Sequence, residues 1–201
     1  MTRRTLLAIT LLAAAVPRLV LAQSAERRPV QYKVGDRLEG AKGKAAKDKP
    51  RYRELKWDEL ISPDWDPQAI VKSLNLDMMQ DGDARALEAM RRLKEEWNNA
   101  PPNPALENID VRIAGFVVPL EREGDALKEF LLVPYFGACI HVPPPPANQI
   151  VHVIAGKPVA GTATMDAVWV SGRLGQFPVT TSMGRSAYRL RATLVEAYKP
   201  S

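Results

Sequence analysis

The residues best suited to metal chemistry are Cys139, His141 and His152. They are the sole cysteine and both histidines of a 201-residue chain, and they fall within 14 positions. Thiolate and imidazole are donors that zinc takes in tetrahedral geometry. In an extended segment, residues two apart point to the same side. Cys139 and His141 would then reach one ion while Ile140 and Val142 face away. The run Pro143–Pro146 stiffens the chain beyond them into an extended form, which lowers the entropy lost when ligands are fixed. His152 returns on the next expected strand as a third ligand, and Glu121, Glu123, Asp166 or a water completes the set. Thiol and imidazole must shed protons to bind, so such a site weakens in acid. A plainer reading stands beside it. Cys139 also suits a buried apolar thiol, and His152, sharing a strand face with Ile150 and Ile154, a hydrogen-bonded core histidine.

Enzyme readings have less behind them. A cysteine nucleophile needs a base and a group that orients the base. His141 could serve Cys139, but nothing nominates the third member. Thiol–disulfide exchange usually needs a second cysteine nearby. Glycine-rich phosphate loops and helical zinc-protease motifs are absent, and no acidic pair stands out for glycoside chemistry. The sequence favours a binding protein over an enzyme.

The elements that must position these residues change character along the chain. Residues 23–50 are polar and basic without hydrophobic period, and read as a flexible arm. Residues 51–104 form a helical segment and linker. Trp57–Leu60 suggests one short helix ended by Pro63, and Asp66-Pro67 opens another to Leu74. The clearest helix spans 81–98, capped by Asp81 or Asp83, with Ala86, Leu87, Met90, Leu93, Lys94 and Trp97 at helical spacing. Asn98 to Pro104 ends it.

From residue 108 the period becomes two. Strands are expected at Val111–Val118, Glu129–Tyr135, Ile150–Ile154, Ala167–Leu174 and Tyr188–Tyr198, the last with Leu190, Ala192 and Leu194 on one face and Arg189, Arg191 and Thr193 on the other. The expected fold is mainly β with an N-terminal helical segment. Residues 105–201 would form a small five-stranded barrel like the oligonucleotide/oligosaccharide-binding (OB) fold, with an open β-sandwich as the alternative. Gly115 and Gly172 fall where such strands must bend sharply.

The first 22 residues have the parts of an export signal. Arg3 and Arg4 precede an apolar run from Leu6 to Val16 broken only by Thr10, and Val20 and Ala22 suit a cleavage site before Gln23. Pro17 and Arg18 interrupt the run too early for a membrane span of about 20 apolar residues. Arg3-Arg4 fits an ordinary signal or a twin-arginine one equally well. Cleavage would remove three arginines and no acid, so the net charge would fall from +5 to +2 over 179 residues. That leaves no support for nucleic-acid binding. The expected location is the periplasm, with no lipid anchor, because no cysteine follows the cleavage site.

The stretch Gly137-Ala138-Cys139-Ile140-His141-Val142-Pro143-Pro144-Pro145-Pro146-Ala147-Asn148-Gln149 makes the chain recognisable, together with Gly115 to Glu121 and Trp57-Asp58-Glu59-Leu60. Over roughly residues 50–199 it resembles a bacterial family of periplasmic proteins and lipoproteins catalogued only as a domain of unknown function. Family genes often lie beside zinc-responsive transport genes. The resemblance therefore implies a zinc-binding accessory role, with ABC-type transporter components or other periplasmic proteins as partners. It carries Cys139 and His141 as candidate ligands, while His152 rests on the strand argument alone. The alternative function is a periplasmic adaptor or structural module without a metal, contacting protein through the proline run and the aromatic segment 52–66.

Overall fold

Alternating apolar residues along the second half of the chain close into a barrel. The computed structural model describes residues 30–38, 52–74, 84–142 and 144–199. The expected signal at 1–22, most of the basic arm and the caps Asp81 and Asp83 lie outside the described residues. Five long strands are formed: β2 (Ile109–Glu123), β3 (Ala126–Val133), β4 (Val151–Val159), β5 (Ala167–Thr181) and β6 (Gly184–Ala197). Their order is β2-β3-β4-β6-β5, and β5 pairs back onto β2 from Ile109↔Leu174 to Phe116↔Ala167. Only β4 and β6 run parallel among these pairs. This is the OB strand order, and the closing ladder excludes the open sandwich. A two-residue β1 (Arg53–Glu54) pairs in parallel with β2 at Val111 and Arg112, below the stretch that β3 occupies.

The barrel interior is filled from alternate positions, among them Ile113, Val117, Phe130, Val153, Leu174 and Leu190. Leu55, Leu60 and Leu106 from the preceding segment belong to the same cluster. That segment is clamped by polar contacts. The Trp57 indole donates to the Ala114 carbonyl at 2.7 Å, and Gln149 and Asn148 donate to the carbonyls of Trp57 and Pro101. The buried Tyr188 hydroxyl donates to the Leu60 carbonyl and accepts from the Asn103 amide. The Asn148-Gln149 end of the signature therefore fastens the N-terminal segment to the barrel. The described residues from Tyr32 onward form one compact unit.

A second apolar cluster lies on the other side of β2 and β3. Phe116, Val118, Leu131 and Val133 are covered there by Tyr135, Phe136 and Cys139 of the loop after β3, and by Tyr32 and Leu38. Tyr32 packs edge-on to Phe116, with ring centroids 5.1 Å apart, and Gly35 and Asp36 exchange backbone hydrogen bonds with Phe136. Part of the stretch expected as a flexible arm is thus packed, because aromatic and backbone partners supply what its composition does not advertise.

Other sequence expectations need correction. Two helices are described: α1 (Pro67–Ser73), with Asp66 capping the Gln68 amide, and α2 (Ala84–Asn98). The buried stripe of α2 is Ala89 and Leu93, whereas Leu87 is 70% exposed and Met90 51%. The helix is therefore rotated from the expected face. In β6 the alternation breaks at Thr193. Gly172 pairs with Ala192 but Ser171 with Leu194, and Thr193 Oγ donates to the Ser171 carbonyl. This bulge turns Leu194 outward, where it is exposed, and Val195 inward onto the core. Gly172 makes it possible, since a Cβ there would sit 2.1 Å from the Arg191 carbonyl oxygen. At Gly115 a Cβ would meet Leu132 and the Trp57 ring within 3 Å, so this glycine serves close approach of the docked segment.

Candidate functional site

The segment expected as an extended ligand arm is a tight turn. The amides of Ile140, His141 and Val142 all donate to the Gly137 carbonyl, at 3.2, 2.8 and 3.2 Å. Gly137 has φ +89 and Cys139 φ +64. The left-handed region costs an ordinary residue roughly 1–2 kcal/mol, and the convergence of three amides on one carbonyl holds Cys139 there. The Gly137 amide in turn faces Met165 Sδ at 3.2 Å, which ties the turn to the second cluster. Same-side placement by the period of a strand therefore does not apply to Cys139 and His141. What joins them is the turn itself.

The three sequence-selected residues have different surroundings. Cys139 is an unpaired thiol, half-buried against the second apolar cluster. Burial pushes it up to about 11, so it is a protonated thiol at neutral pH. His141 is exposed on the turn. His152 is 4% exposed on β4, paired across the sheet with Leu131 and Arg189. Its Nε2 lies 3.1 Å from Glu129 Oε2 and its Nδ1 3.4 Å from Arg189 Nε. A neutral ring donating to Glu129 and accepting from Arg189 satisfies both contacts. Burial lowers the His152 pKa, against the opposing pull of Glu129.

The carboxylates considered as further ligands are spread out. Glu121 accepts from Lys128 at 2.9 Å, Asp166 accepts from the Ala163 amide at 2.8 Å, and Glu123 is exposed at the end of β2. Among the described residues, no three His, Cys, Asp or Glu side chains gather where they could hold a metal ion. Cys139 and His141 have donor types that suit zinc, and together they would fill two of its four positions.

Sequence reasoning missed a groove on the barrel surface. On the outer face of β5 and β6, Arg173, Arg189, Arg191, Gln176 and Phe177 line an open groove of about 260 Å³, with Glu107 and Asn108 at its edge. Arg189 lies 3.7 Å over the Phe177 ring, and Phe177 is 51% exposed. The signal for this groove was present in the alternation that puts Arg189 and Arg191 on the face away from Leu190.

The comparisons with known proteins bear on family and fold. The sequence model of a family described as "Protein of unknown function (DUF3299)" matches residues 57–197. The crystal structure of a DUF3299 family protein from Pseudomonas aeruginosa PAO1 is 34% identical. The match covers 75% of this chain and 98% of that one, with a TM-score of 0.59. No curated protein matches the chain. The matched span takes in Trp57, the five barrel strands and the signature turn, and on that evidence the chain belongs to the DUF3299 family, whose function is unknown.

Proposed function

We propose that this chain is an exported accessory protein of zinc transport or homeostasis, and that it meets the metal through Cys139 and His141. The observation that carries the reading is their placement on one strained turn, closed on the Gly137 carbonyl, with an unpaired thiol and an exposed imidazole. Backbone strain of this kind tends to cluster at binding sites. Export rests on the signal features of residues 1–22, and the zinc context on the family resemblance carried by Gly137–Gln149. His152 leaves the ligand set in this reading, because Glu129 and Arg189 engage both its ring nitrogens. Two ligands from this chain leave the other positions to water or to a partner's side chains, which suits a protein that hands metal on rather than storing it.

Of the surfaces an adaptor would use, Tyr52, Ile61, Trp65, Pro144 and Pro146 are partly exposed. Leu55, Leu60 and Pro145 are buried, and Trp57 packs against the core. Calorimetric titration of the purified protein with zinc tests the proposal. Binding that is lost in Cys139→Ser combined with His141→Ala supports it, and no binding, or binding unchanged in that variant, refutes it.

A further inference from the structure

The groove on β5–β6 is separate from the Cys139 turn in chemistry and in place. Such barrels commonly bind ligands across the second and third strands. Here those are β3 and β4, and the loop after β3 already covers Leu131 and Val133 on that face. The exposed face of β5 and β6 carries the chemistry that remains.

Its charges are unevenly spent. Asp110 holds Arg173 by an ion pair at 2.9 Å, and the Asn108 carbonyl accepts from the same guanidinium. Glu107 accepts from the Gln176 amide at 2.7 Å. Glu129 is engaged by His152. Arg189 is stacked on Phe177 and hydrogen-bonded to His152, with no carboxylate paired to it among the described residues. The Arg191 side chain is exposed and makes no ion pair or hydrogen bond among the described residues. It also stands directly across the ladder from Arg173. Like charges opposite one another destabilise a sheet, so this pairing is a cost the fold carries. Gly175 pairs with Arg189, and a Cβ there would lie 3.5 Å from the Glu107 carboxylate at the groove's edge.

We propose that this groove binds a small oxyanion, a compound bearing carboxylate or phosphate groups, with Arg189 and Arg191 holding the anion and Phe177 and the Arg189 plane supporting its body. Guanidinium forks match the planar geometry of carboxylate and phosphate oxygens. An anion between Arg191 and Arg173 would offset their repulsion. The groove's roughly 260 Å³ falls just below the range of about 300–1,000 Å³ for drug-sized pockets. It therefore takes a small anion or one charged unit of a larger molecule, such as a lipid headgroup. Nothing in this inference depends on zinc.

The test uses pyrophosphate and citrate as soluble probes, titrated calorimetrically into the purified protein in metal-free buffer. In a parallel arm, the protein is sedimented with phosphatidylcholine vesicles with and without phosphatidylglycerol. Binding of either soluble anion should weaken at least tenfold in Arg191→Gln and in Arg189→Gln, partly recover in Arg191→Lys, and weaken with added salt. Lys94→Gln removes one charge from α2 and should change affinity less than twofold. Binding to anionic vesicles alone, with the same arginine dependence, also supports the site and identifies a headgroup as the source. Absence of binding in every arm overturns the proposal, as does an equal loss in Lys94→Gln. Arg191 has no partner to lose among the described residues, so its variants should unfold as the parent does, and the comparison stays interpretable.

Discussion

His152 Nε2 lies 3.1 Å from Glu129 Oε2, on a residue that is 4% exposed. Burial of this ring makes stability depend on pH. Burial is the larger influence and lowers the His152 pKa from its ordinary 6.5. The unfolded chain therefore takes up a proton at a higher pH than the folded one. The histidine's stabilising contribution is complete above about pH 6.5 and is lost as pH falls from there toward the folded-state value. Thermal unfolding midpoints between pH 7.5 and 5.5 should fall for the parent and fall less for His152→Gln. Equal slopes would contradict the assignment.

The Tyr188 hydroxyl ties three parts of the chain together, since it donates to Leu60 and accepts from Asn103. Tyr188→Phe removes both contacts from a buried position. The Asn103 amide and Leu60 carbonyl are already 3.3 Å apart and partly satisfy each other. The loss should therefore be about 1 kcal/mol, at the low end of the roughly 1–3 kcal/mol for unsatisfied buried groups. Urea unfolding followed by tryptophan fluorescence measures it, because Trp57 reports on the docked segment. A change within error would show that the clamp holds nothing.

The Cys139 thiol, pushed up to about 11 by burial, should alkylate slowly. At pH 8 only about one thousandth of it is thiolate, the reactive form. The iodoacetamide rate should rise close to tenfold per pH unit from 7 to 10, and zinc should slow it if metal occupies the sulfur. Fast, pH-independent modification near neutrality would show that the thiol is not held against the second cluster.

Much of the barrel was legible because half-buried strands write their period into the sequence. Leu190 to Ala192 alternate as the closed sheet requires, while Val111 to Val118 is buried on both faces and sends alternate side chains to the two clusters. The ends were not legible. Glu121 to Glu123 and much of Gln176 to Thr181 extend their strands as exposed ribbon, with no apolar face to mark them. The bulge at Thr193 is set by the close approach at Gly172, a contact between strands that no local pattern carries. The turn at Cys139 escaped for a related reason. It is held by one carbonyl and by the cluster beneath it, while Pro144–Pro146 nearby suggest extension. Asn148 and Gln149 read only as the end of a family signature, yet their side chains fasten the N-terminal segment. The arginine groove needed the fold, because Arg173 and Arg191 are 18 positions apart in sequence and meet only across the β5–β6 ladder.

X-ray absorption at the zinc edge, on protein loaded with one equivalent of zinc, tests the central proposal most directly. The Cys139–His141 site predicts one sulfur scatterer at about 2.3 Å and imidazole nitrogen at about 2.0–2.1 Å. The sulfur should vanish in Cys139→Ser. A shell of nitrogen and oxygen alone in the parent protein, or zinc that is not retained, would contradict it.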